Sequence, residues 1–238
     1  MKNNWLIIKS IFNQFLDLVF PPICLNCQKV LPSDTNELSL CQDCYSTITL
    51  MPTDFPKSNI LDRLSPSYLD YILIAYQFDE AIQSVIHHIK YQRKPNLGIK
   101  CGINTASVLS QNISEIQGKY YLPVPLHIIR QKERGFNQSN FISKGIRKIH
   151  KGILMKDVLI RKKNTISQTQ LNREERQENI NEAFRVRNTM DVSGKTIILV
   201  DDLITTGATM NECAKALKRN GAKNVIGVAV ASPVSITN

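Results

Sequence analysis

Two adjacent carboxylates, Asp201 and Asp202, stand between an apolar run and a string of small residues, Thr205, Thr206, Gly207, Ala208 and Thr209. Small residues at the start of a helix expose backbone N–H groups at the positive end of its dipole, an arrangement suited to a phosphate. Gly207 lets the backbone approach closely, and the threonine hydroxyls add donors. Paired acids beside a phosphate would repel it. They make sense if they accept hydrogen bonds from sugar hydroxyls and help hold a divalent cation shared with further phosphate oxygens. The ligand these residues predict is a phosphorylated sugar, with Mg2+ as its companion.

The elements that must hold them are legible on either side. Residues 196–200 are β-branched and leucine without alternation, the pattern of a strand buried on both faces of a parallel sheet. The acids then fall at the carboxyl edge, where open α/β sheets bind ligands. Met210, Cys213, Ala214 and Leu217 keep the three- and four-residue spacing of a helix face. The bland alternative is a buried strand followed by a solvated Asp-Asp turn. Ser193, Gly194, Lys195 and Thr196 imitate the tail of a nucleotide-binding P-loop. Thr189 stands where its first glycine belongs, however, and the motif precedes the strand it would have to follow, so an NTPase is excluded.

A second chemistry lies near the N-terminus. Cys24 and Cys27 are separated by two residues, thirteen residues follow, and Cys41 and Cys44 repeat the spacing. Two such knuckles offer four thiolates to a tetrahedral ion, the preferred set for structural Zn2+. With no histidine nearby the site would be closed and not catalytic. Disulfides or reduced thiols are the alternative, disfavoured by a composition without a secretory signal. A module this small would fold only with its metal.

The 238 residues, 42% hydrophobic, suffice for one large domain with a small module. Net charge is +10 and unevenly spread, since residues 130–163 hold eleven Lys/Arg against two acids, a net +9. A basic stretch flanking a phosphate site implies anionic ligands such as pyrophosphate, nucleic acid or both. Neither a signal peptide nor a transmembrane run is legible, which predicts a cytoplasmic protein. Residues 1–22 read as an amphipathic helix docked on its own protein, residues 23–50 as the four-cysteine zinc module, and the proline-marked stretch 51–66 as a linker. The main domain then occupies 67–238. Within it, a strand is expected over 69–76 and a helix capped around Asp79. Further expectations are a helix over 98–110, a strand from Tyr120 running into a loop over 123–130, and a helix starting near Arg134. A mobile polar stretch over 161–176 and a last strand over 224–231 complete the reading.

The run from Leu199 to Thr209 resembles the 5-phosphoribosyl pyrophosphate (PRPP) loop of the type I phosphoribosyltransferases. That resemblance implies ribose contacts for Asp201 and Asp202 and a grip on the 5′-phosphate for residues 205–209. Pro123, Val124, Pro125 and Leu126, followed by Arg130, Arg134, Gly135, Phe136, Asn137 and Gln138, resemble the ComF (ComFC/GntX-like) family of phosphoribosyltransferase-like proteins. Tyr76, Asp79, Ile86, His87, Lys90 and Tyr91 match that family's first helix, and Ser167, Gln168, Leu171, Arg176, Asn179, Ala183 and Phe184 a later stretch. The fold implied is α/β, a parallel sheet of the type I phosphoribosyltransferase kind behind a small N-terminal zinc module of four cysteines. Arg130 and Arg134 are expected at the pyrophosphate or at nucleic acid, since a planar guanidinium makes paired hydrogen bonds to phosphate oxygens. The family resemblance implies single-stranded DNA handling in DNA uptake and natural transformation, with a competence helicase or recombination mediator as partner. Transfer of ribose 5-phosphate from PRPP to an unidentified nucleobase-like acceptor is the enzymatic alternative.

Overall fold

The computed structural model describes residues 21–32, 36, 38–52, 54–55, 60–92, 94–161 and 183–233. The expected N-terminal helix (all but Pro21 and Pro22) and the polar stretch 161–176 (all but Arg161) lie outside the described residues.

Five parallel strands make the central sheet: β1 (Tyr71–Gln77), β2 (Lys119–Pro123), β3 (Ile153–Leu154), β6 (Thr196–Leu203) and β7 (Asn224–Ser232), in the order β1-β7-β6-β2-β3. The expected parallel α/β fold is what the chain adopts. Parallel strands need crossovers, and the helices supply them. These are α2 (Glu80–Tyr91), α3 (Pro95–Val108), α4 (Ser110–Ser114), α5 (Ile128–Arg134), α6 (Gln138–Ile149) and α7 (Ala208–Arg219), with α1 (Gln42–Ser46) lying in the cysteine-bearing segment. The central strand β6 is paired on both sides, Leu199 facing Leu122 of β2 and Gly227 of β7. Both of its faces are therefore apolar, as the unalternating run requires.

Each face has its own core. Ile198 and Val200 pack with Ile82, Val85, Ile86 and Ile89 of α2 and with Ile142 and Ile146 of α6. Ile197 and Leu199 pack with Met210, Cys213, Ala214 and Leu217 of α7, the stripe read from spacing. Asp79 caps α2, its Oδ1 accepting from the Ile82 amide at 2.9 Å.

Three expectations change. The stretch 51–66 is no free linker: Met51, Phe55 and Ile60 are buried in the second core, and Leu61–Arg63 forms a 3-10 turn. Leu25, Leu31, Leu38 and Leu40 of the cysteine segment join the first core, so that segment shares an interior with the sheet. The loop expected over 123–130 closes early into α5, whose residues are all outside the core. Without a buried stripe α5 leaves no periodic signal. Its ends carry one: His127 accepts from the Ile129 amide, and Gly135 stops the helix at φ +77°, a left-handed cap favouring glycine. A two-stranded antiparallel ribbon, β4 (Leu159–Arg161) with β5 (Phe184–Val186), was not foreseen either.

Candidate ligand site and metal centre

β6 runs through both acids to Leu203, so their side chains fall on opposite faces of the sheet. Asp202 takes the α2 face. It is 4% exposed, and its Oδ2 lies 2.6 Å from Nζ of Lys90, the penultimate residue of α2. A buried carboxylate needs such a partner, because removal from water costs several kcal/mol per ion when uncompensated. Asp201 stays half-buried at the edge. Its Oδ1 accepts from the Ser139 hydroxyl and from the Asp202 amide, each at 2.9 Å. Burial, with the adjacent Asp202 charge, pushes the Asp201 carboxyl up to about 8 against those two hydrogen bonds, which favour the ionised form.

The following loop has the form a phosphate needs. Gly207 sits at φ +78° as the N-cap of α7, while Thr205, Thr206, Ala208 and Thr209 are exposed. Among the described residues no group accepts a hydrogen bond from the amides of Thr205, Thr206, Gly207 or Thr209. The Ala208 amide has only a 3.4 Å contact to the Thr206 hydroxyl. The loop is braced from beneath by the segment misread as a linker. A Cβ on Gly207 would come within 2.7 Å of Ile60 Cγ2, and Asn211 of α7 accepts from the Tyr68 amide and donates to the Pro66 carbonyl. Gly207→Ala is therefore expected to destabilise the fold by about 1–3 kcal/mol. Denaturant unfolding checks this, and unchanged stability would refute the close packing.

The run before α6 also acquires work in the structure: Asn137 caps α6 and donates to the Val124 carbonyl at 2.9 Å, Gln138 accepts from Arg134 at 3.1 Å, and Ser139 holds Asp201. Phe136 packs edge-on to Phe141 at 5.4 Å between ring centres, a core plug. Arg130 and Arg134, from α5, line a cleft of about 350 Å3 with Lys90, Tyr91 and Glu133. The Arg134 guanidinium lies 5.4 Å from the centre of the exposed Tyr91 ring. The structure thus brings both arginines to one cleft, and Lys90 joins that cleft to the acid pair. Sequence reasoning assigned no role to Lys90, Tyr91 or Ser139. Lys90 and Tyr91 are marked in the sequence only by the family resemblance and Ser139 by nothing, because their partners are distant along the chain.

At the other site, Cys24, Cys27, Cys41 and Cys44 bring their sulfurs within 4.8 Å of one another. Cys27 and Cys41 are 3.6 Å apart, close to the edge of about 3.8 Å for a tetrahedron of thiolates around zinc. Donors already point at the sulfurs: the Cys41 amide at Cys24 (3.3 Å), the Cys44 amide at Cys41 (3.5 Å) and the Asn26 side-chain amide at Cys44 (3.5 Å). Such donors favour thiolate over thiol, so the set fits a structural metal ion. The remaining cysteines, Cys101 and Cys213, are buried in the cores, and burial pushes the Cys101 thiol up to about 12. Among the described residues no helix is long and apolar enough to cross a membrane.

Comparison with known proteins agrees with this geometry. Residues 102–234 match the family described as the phosphoribosyl transferase domain. The chain is 32% identical to Competence protein F of Haemophilus influenzae over 105 residues, 44% of this chain and 46% of that protein. It is 27% identical to the DNA utilization protein YhgH of Shigella flexneri over 208 residues, 85% of this chain and 87% of that protein. It is 32% identical to Competence protein ComFC of Streptococcus pneumoniae over 120 residues, covering 50% of this chain and 51% of that protein. The chain thus spans about half the length of the two competence proteins.

Proposed function

The chain belongs to the phosphoribosyl transferase domain family as a ComF-like member, and from that premise we propose that it binds PRPP with Mg2+ at the carboxyl edge of β6 and handles single-stranded DNA during DNA uptake in natural transformation. The observation that carries the ligand reading is the row of amides at 205–207 and 209, unpaired among the described residues, next to a half-buried acid. In this reading the amides and the threonine hydroxyls bind the 5′-phosphate. Asp201, positioned by Ser139, accepts from a ribose hydroxyl, and Asp202 backs it from the other face. Lys90, Arg130 and Arg134 give the cleft the charge to take a diphosphate.

Mg2+ would accompany the diphosphate, with Asp201 and Asp202 as the acids that would help hold it. Its chemistry there is to spread the diphosphate charge. The four cysteines would hold Zn2+ as a closed, structural centre. The DNA reading rests on the names of the relatives and on the basic segment 130–163, which begins in α5 beside the cleft. The family's helicase or recombination mediator partners belong to that same reading.

Calorimetric titration of PRPP with Mg2+ into the full chain tests the ligand, and absence of heat with either alone or together would overturn it. For DNA, oligonucleotide anisotropy is expected to show affinity falling steeply with salt. Arg130→Ala and Arg134→Ala should each reduce the slope of log K against log salt by about 0.7. A salt-independent affinity would sink the electrostatic reading. Release of pyrophosphate from PRPP upon adding a nucleobase mixture would favour the enzymatic alternative.

A further inference from the structure

The cysteine centre and the ligand edge are tied to the same helix. Asn26, between two of the cysteines, donates from its side-chain amide to Cys44 Sγ at 3.5 Å, and its carbonyl oxygen accepts from the Ser84 hydroxyl of α2 at 2.9 Å. The chain leaving the centre grips the start of α2 as well: the Thr49 amide donates to Asp79 Oδ2 at 3.0 Å, so one carboxylate caps the helix and fastens the incoming strand. Residues 49–51 continue along β1, with the Gln77 amide donating to Thr49 and the Met51 amide to Ala75. Helix α2 is thus pinned at its first turn and at Ser84, and Lys90, near its far end, meets Asp202 at 2.6 Å. That lysine also lines the cleft with Arg130 and Arg134.

We infer that the cysteine centre, through Asn26 and Ser84, sets the seating of α2 and with it the reach of Lys90 to Asp202 and the cleft. Asn26 is in this account a positioning residue. Its amide faces Cys44 Sγ and its carbonyl faces the helix, so a change in the centre moves the contact that locates α2. Because Lys90 lines the cleft and also neutralises the buried Asp202, displacing it takes a cation from the cleft and leaves an uncompensated carboxylate behind it, and affinity for anions falls. Linkage makes the effect reciprocal: whatever factor the metal adds to anion affinity, the anion adds to metal affinity. The inference rests on the proposed diphosphate reading of the cleft.

The test titrates inorganic pyrophosphate with Mg2+ into the full zinc-loaded chain and into Asn26→Ala, Ser84→Ala, Lys90→Met and the Asn26→Ala/Lys90→Met double variant. Asn26→Ala and Ser84→Ala are expected to weaken pyrophosphate binding about three- to tenfold. In the Lys90→Met background Asn26→Ala is expected to change nothing further, the sign of a shared path. Ser84→Ala leaves the Asn26–Cys44 contact in place, so it reports on the coupling even if Asn26→Ala loses zinc. Unchanged affinity in Ser84→Ala, or an equal loss with and without Lys90, overturns the inference. Should the wild-type chain bind neither pyrophosphate nor PRPP, the diphosphate reading falls, and hydrogen exchange decides the coupling. Faster exchange in the last turn of α2 but not in β7, in both single variants, supports it; no change at α2 overturns it.

Discussion

Cys24→Ser is expected to leave the full chain with well under one equivalent of zinc and to lower its thermal midpoint by about 10 °C or more, as loss of about 4 kcal/mol does for a chain of this size. Cys24 is fully buried and is one corner of the sulfur cluster. Structural zinc centres contribute apparent folding free energies of about 10–16 kcal/mol in isolated peptides, so losing one of four ligands leaves little to hold the segment. The damage spreads because Leu25, Leu31, Leu38 and Leu40 share a core with α2 and α3. Cys101→Ser, at a buried thiol outside the cluster, is the control: it should cost stability while keeping the metal. Metal analysis and thermal unfolding check the pair. A Cys24→Ser protein that keeps a full equivalent, or loses it without a drop in midpoint, would remove the centre's structural role.

Asp201→Asn is expected to act in opposite directions on stability and on binding. Burial and the neighbouring Asp202 raise the Asp201 carboxyl from an ordinary 3.8 to about 8 in the folded chain. A raised folded value means that folding favours the protonated form. The contribution is then fully present below the unfolded value near 4 and lost as pH climbs through about 8. Asparagine keeps the oxygen that accepts from Ser139 and from the Asp202 amide but carries no charge. The ligand-free variant should therefore lose less stability between pH 4 and 8 than the wild type. At pH 8 it should be more stable by on the order of 1–2 kcal/mol. Above pH 8, where the wild-type carboxyl is ionised, its affinity for PRPP with Mg2+ should fall roughly 10- to 100-fold, the worth of a hydrogen bond to a charged acceptor. Denaturant unfolding across that pH range, with parallel calorimetry, reads both. A variant less stable at pH 8, or one binding PRPP as well as the wild type, contradicts the assignment.

What the sequence revealed and what it hid divide along physical lines. The α7 stripe, the Asp79 cap and the cysteine spacing are local patterns, and each stands in the structure where its pattern placed it, while the strand read over 196–200 continues through both acids to Leu203. The short helix α5 was missed because Ile128 and Ile129 are exposed, leaving only the His127 and Gly135 caps to betray it. The β4–β5 ribbon pairs strands separated by a long stretch of chain, which no window reads. Three prolines and several polar residues made 51–66 look like a linker, yet Ile60 within it is fully buried beneath Gly207. The acids were found by type and adjacency. Their counterparts Lys90 and Ser139 lie more than 60 positions away, and only the folded sheet brings them near.

The order of the strands has a consequence for how the protein is made. β7, the C-terminal strand of the sheet, sits between β1 and β6, so β1 has no neighbour within the sheet until residues 224–232 have left the ribosome. At translation speeds of about 5–20 residues per second, the nascent β1 waits roughly ten seconds or more for the strand that completes it. Until β7 emerges, β6 offers an apolar, unpaired flank, the kind of surface that chaperones shield and that neighbouring chains capture.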